Sequence, residues 1–126
     1  FARDVLAGIV PAAPDYKISS PAQHDHQLKS NEFAVSDALM KSYREFLTDW
    51  LKKHPEIVFT PAQIEENMPW MRARIRYEML VGAYGADKAQ QAMVDSDAQL
   101  QRAIQELPNA AALAEKARQK RNVSKR

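Results

Sequence analysis

Two of the three histidines, His24 and His26, flank Asp25, and this is the only spot in the sequence that tempts a metal reading. At a spacing of two residues both imidazoles share a face only on a strand, and the remaining histidine, His54, supplies no second ligand pair. They are read as exposed loop histidines, and no metal site is expected. Glu65 and Glu66 are adjacent, so on a helix their carboxylates point about 100° apart rather than facing one another as an acid and a base. Serines stand at positions 19, 20, 30, 36, 42, 96 and 124, none beside a glycine-rich turn or an oxyanion-hole motif. The lack of cysteine removes a thiolate nucleophile, a disulfide framework and a cysteine zinc site. Gly8, Gly82 and Gly85 are too few and too scattered for a phosphate-cradling loop. Neither a catalytic nor a cofactor-binding residue is expected within this chain.

What remains is recognition chemistry. Arg72, Arg74 and Arg76 lie on one polar face beside Glu78, with Arg72 and Arg76 one helical turn apart. A solvated face with local ion pairs is the preferred reading, because exposed pairs are common and weak. Trp50 and Trp70 are the two large aromatic residues that a partner would grip. With Arg72 and Arg76 they form the candidate interaction surface. If the Trp70 ring is core, its replacement by alanine costs ~3 kcal/mol.

The elements that position these residues are helices. Thr60 reads as an N-cap, Pro61 suits the first helical position, and Gln63 can complete a capping box. Ile64, Met68, Met71, Ile75, Met79 and Gly82/Ala83 recur at spacings of four, three, four, four and three, one stripe of a helix that Gly85 stops. Pro69 predicts a kink, or a break into a one-turn helix and a longer one. Phe59 stands where it can staple onto Ile64 across the cap. Upstream, Ser36 caps a strongly amphipathic helix carrying Leu39, Met40, Tyr43, Phe46, Leu47, Trp50 and Leu51, an aromatic stripe read as core. Shorter helices are predicted at 1–10, about 87–94 and about 97–107, the last ended by Pro108, with a final one starting after Asn109. Residues 11–35 read as an irregular connector, in which 15–19 could pair as a short strand. The fold class is all-α: a hairpin of two longer helices braced by two or three short ones. Its expected divisions are 1–35 as connector, 36–115 as helical domain and 116–126 as basic tail.

The net charge of +2 conceals an asymmetry. Residues 1–114 hold 12 Lys+Arg against 15 Asp+Glu, while residues 115–126 hold six against one. Nucleic-acid binding would rest on that tail alone, whereas domains built for phosphate contact carry a basic face on their folded part. A solubilising helix end is preferred. No run of about 18 apolar residues is present to span a membrane.

The segment FTPAQIEENMPWMRARIRYEML, then Tyr84-Gly85, then DSDAQLQRAIQELP from Asp95 to Pro108, resembles the helical region that follows the catalytic core in bacterial carboxyl-terminal processing peptidases. These are serine peptidases of the tail-specific, tricorn-core-like type. The matching positions are Phe59, Thr60, Glu66, Asn67, Trp70, Arg74, Ile75, Tyr84, Gly85, Asp97, Gln99, Gln101, Ala103 and Leu107. The likeness covers about residues 36–115 and departs at Pro69, where a charged or polar residue is usual. It implies a serine nucleophile, a lysine base and a substrate-gripping PDZ domain, none of which can be placed on this chain. This segment would then be a non-catalytic accessory domain of a parent peptidase, with residues 1–35 ending the catalytic region. Its partners would be its own catalytic and PDZ domains, a second copy or an adaptor protein, and the family setting implies an extracytoplasmic, periplasmic location. The alternative is an independent helical protein-interaction module.

Overall fold

The computed structural model describes residues 1–19 and 28–123. Among the described residues five α-helices carry the fold: α1 (Ala2–Leu6), α2 (Asp37–Lys53), α3 (Pro61–Tyr84), α4 (Ala86–Ser96) and α5 (Ala98–Val123). The described residues contain no strand, and Pro14–Tyr16 forms a single 3-10 turn where a short strand was conceivable. The fold is all-α.

Local chemistry explains most of the boundaries. The Ser36 side chain accepts from the Leu39 N–H at 3.1 Å and starts α2, with Asp37 in its first turn and Lys52 and Lys53 in its last. At α3, the Gln63 N–H donates to Thr60 Oγ1 at 3.2 Å while the Thr60 N–H donates to Gln63 Oε1 at 2.9 Å, so the capping box closes in both directions. Gly85 ends α3 with φ +87°, a conformation that a residue with a Cβ rarely adopts. Asp97 separates α4 from α5, its Oδ1 accepting from the Gln99 and Leu100 N–H groups at 2.9 and 3.1 Å.

Neither interior proline breaks its helix. α3 passes through Pro69 as one helix of 24 residues. α5 passes through Pro108 as one helix of 26 residues, so the two helices expected on either side of that proline are a single element.

The chain divides into two compact units, Phe1–Ala92 and Met93–Arg126. In the first, Val5 and Leu6 of α1, Val10, Ala13, Phe33 and Val35 join Leu39, Met40 and Tyr43 of α2 and Met68, Ile75, Met79, Leu80 and Ala83 of α3 in one core. The irregular connector therefore packs, with Phe33 and Val35 in the core and Tyr16, Ile18 and Leu28 against it. Leu39, Met79, Leu80 and Val5 are almost wholly buried, each worth about 1.5–3 kcal/mol. The most extensive backbone contact between elements among the described residues is α1 against α3. Gly82 lies under this contact, where a Cβ would stand 2.6 Å from Leu6 Cδ1 and push the end of that side chain aside. α2 meets α3 through long side chains: the Tyr43 hydroxyl lies 3.3 Å from Met71 Sδ, and Arg44 grips Glu65 with Nε and Nη2 at 3.1 and 2.7 Å.

Candidate interaction surface

The four residues singled out from sequence separate into two groups. Arg72 and Arg76 come together, one turn apart on α3, and both turn inward on the segment that leads into α2. Arg72 donates to the Val35 carbonyl at 2.6 Å and to Asp37 Oδ1 at 2.5 Å. Arg76 donates through Nε to the Glu32 carbonyl at 3.0 Å and through Nη2 to the Ser30 carbonyl at 2.9 Å. A guanidinium is suited to this because its planar fork can satisfy two acceptors at once. The hydrogen bond and charge of Arg72 hold the Asp37 carboxyl below its ordinary range. Arg74 behaves as a surface residue, pairing with Glu78 at 2.5 Å and lying 5.1 Å from the centre of the Tyr77 ring.

The same segment is held from a second side. The Tyr84 hydroxyl donates to Glu32 Oε1, and burial, followed by the bond to Glu32 and its negative charge, raises the phenol to about 12. Tyr16 donates to the Ala34 carbonyl at 2.6 Å, and its ring stands edge-on to Phe33 with centroids 5.3 Å apart. Phe33 takes φ +50°, unusual for a bulky side chain, while its own ring is buried. Sequence reasoning missed this clamp because most of its acceptors are the backbone carbonyls of Ser30, Glu32, Ala34 and Val35, which leave no side-chain signature.

The tryptophans do something else. Trp50 is half-buried and stacks on His54, with ring centroids 4.0 Å apart, while His54 Nδ1 lies 3.2 Å from Glu56 Oε1. The amphipathic stripe of α2 is buried only over its first turns, at Leu39, Met40 and Tyr43. Trp70 is 60% exposed, so its indole is a surface group rather than core. Among the described residues the two indoles form no ring pair.

Where the second half of α2 faces the first half of α3, a groove of about 240 Å³ remains, lined by Leu47, Phe59, Gln63, Ile64, Asn67, Met68 and Met71. Phe59 and Ile64 line it together, as a hydrophobic staple requires, yet Phe59 is still 52% exposed. Gln63, Asn67 and Trp70 follow one another at spacings of four and three, so Trp70 lies on the strip of α3 that flanks the groove. The arrangement is an apolar slot with amide groups on its wall and an indole beside it, which suits an apolar side chain of a protein partner.

No group of three His, Cys, Asp or Glu side chains able to hold a metal occurs among the described residues. His24 and His26 lie outside those residues. No helix among them is long and apolar enough to cross a membrane. Lys116, Arg118, Lys120 and Arg121 are exposed on the last turns of α5, and Lys125 and Arg126 lie outside the described residues.

Comparison of the chain with family models, with curated proteins and with solved structures returned no match.

Proposed function

We propose that the chain is the non-catalytic, C-terminal helical domain of a carboxyl-terminal processing serine peptidase whose Ser/Lys dyad and PDZ domain lie outside these residues. In this reading it positions the catalytic core, associates with a second copy, or presents a face to substrate or an adaptor. It works in the periplasm or another extracytoplasmic space. The motif from Phe59 to Leu107 carries the proposal. Its residues do scaffold work: Thr60 caps α3, Ile75 is buried, Gly85 stops α3 and Asp97 caps α5. Its Phe59 and Trp70 stay exposed at the α2/α3 groove, where a neighbouring domain or substrate can cover them.

The test is to read the gene upstream of Phe1. A PDZ-like segment followed by a glycine-flanked serine and a downstream lysine supports the proposal. Deleting residues 37–123 from that parent should then lower its peptidase activity. A start codon immediately before Phe1 overturns the proposal. The exposed Trp70 would then favour the second reading, an independent module that binds a partner helix in the groove.

A further inference from the structure

Every residue of α5 from Arg102 to Arg121 is exposed. Leu100, Ile104 and Leu107 follow one another at spacings of four and three, so they form an apolar stripe on one side of a helix about 39 Å long. A helix that carries an interior proline and buries almost nothing along its length is not self-supporting, because most helical stability comes from packing an apolar face. Something must cover this stripe.

The two ends of the segment differ in both size and charge. Residues 95–108 carry Leu100, Ile104 and Leu107 with three acids, Asp95, Asp97 and Glu106, against one base, Arg102. Residues 109–121 carry five alanines, a single leucine, Leu113, and four bases, Lys116, Arg118, Lys120 and Arg121, against one acid, Glu115. A helix divided in this way is complementary to a reversed copy of itself. Side by side in the same direction, two copies would set base against base and align their dipoles. In the opposite direction, bases meet acids and the dipoles oppose.

We infer that α5 is a self-association element that pairs antiparallel with α5 of a second copy of this chain. Continuing the stripe at spacings of four and three places Ala111 and Ala114 after Leu107. Setting Leu107 of one copy against Ile104 of the other puts Leu100 against Ala111, large against small, twice over. The same register brings Asp95 and Asp97 beside the turn that carries Lys116 and Arg118. This rests on the accessory-domain reading only through its self-association role, and a failure here leaves the peptidase parentage to be decided by the gene.

The absence of cysteine makes the register directly testable on the full chain of 126 residues. Oxidising a mixture of Leu100→Cys and Ala111→Cys proteins should give a cross-linked heterodimer. Leu100→Cys alone should give little cross-linked product. Efficient cross-linking of Leu100→Cys to itself means parallel pairing and overturns the inference. Sedimentation equilibrium should give a dimer mass for the parent chain and a monomer mass for the Ile104→Glu, Leu107→Glu double variant, with the circular dichroism of α1 to α4 retained. Lys116→Glu with Arg118→Glu should weaken the dimer, and adding Asp95→Lys with Asp97→Lys should restore it. A monomeric parent chain overturns the inference, as does a dimer that survives the double glutamate substitution. A dimer lost on Phe59→Ala but indifferent to changes on α5 places the interface at the α2/α3 groove and equally overturns it.

Discussion

Replacing Arg76 by methionine should unfold the first unit more readily while leaving the groove beside Trp70 untouched. Methionine keeps most of the aliphatic stem, so the change removes chiefly the guanidinium and its hydrogen bonds to the Glu32 and Ser30 carbonyls, at 3.0 and 2.9 Å. Hydrogen bonds to a charged donor contribute about 1.5–3 kcal/mol each, and the half-exposed site lets water recover part of that, so the net cost is about 2 kcal/mol. For a unit of this size that lowers the melting temperature by roughly 8–16 °C. Lysine should not rescue it, since a single ammonium does not match the two-acceptor geometry of the fork. The assay is urea denaturation followed by circular dichroism, with the midpoint falling and the slope unchanged. A Tyr84→Phe, Arg76→Met double variant should show coupling, because both residues hold Glu32. If Arg76→Met changes stability by less than about 0.5 kcal/mol yet abolishes binding of a partner, the clamp is not structural and Arg76 belongs to the interaction surface.

Thr60→Ala breaks both halves of the capping box and should cost about 1 kcal/mol, read as a shift of the same urea midpoint; Thr60→Ser should restore it. Trp70→Ala should change stability by no more than about 0.5 kcal/mol because the indole is 60% exposed, and a loss near 3 kcal/mol would mean that the ring is core. The Tyr84 proton is held more tightly in the folded chain, where the phenol is raised to about 12, than in the unfolded chain at about 10. Its contribution is therefore fully present below pH 10 and fades as the pH rises toward 12. A series of thermal melts across that window should show a decline that Tyr84→Phe makes shallower, and parallel curves for the two proteins would refute the assignment.

The helix ends were legible because each is written in a few adjacent residues. Ser36, the Thr60–Gln63 pair and Gly85 all act within their own turn of chain. What stayed hidden depends on residues far apart. The docking of α1 on α3 joins Leu6 to Gly82, and nothing local to either announces the other. The arginines were visible as a cluster but not as a clamp, since Arg76 reaches carbonyls that every residue possesses. Trp70, which was weighed as core or surface, is 60% exposed, a property of packing rather than of periodicity.

The two prolines show where a local rule yields and what makes it yield. A proline inside a helix costs about 3 kcal/mol, and the sequence reads each as a kink or an end. For Pro69 the return is visible: downstream of it α3 buries Ile75, Met79, Leu80 and Ala83, enough apolar surface to hold both sides of the proline in one continuous helix. Downstream of Pro108 the chain offers alanines of high helix propensity, which favour continuation, but every one of them is exposed. Propensity alone supports α5 weakly, and burial within the described chain adds little. The uninterrupted course of α5 therefore joins its uncovered leucines and its divided charge as a third reason to seek its stabilisation in a partner, with a reversed second copy matching all three.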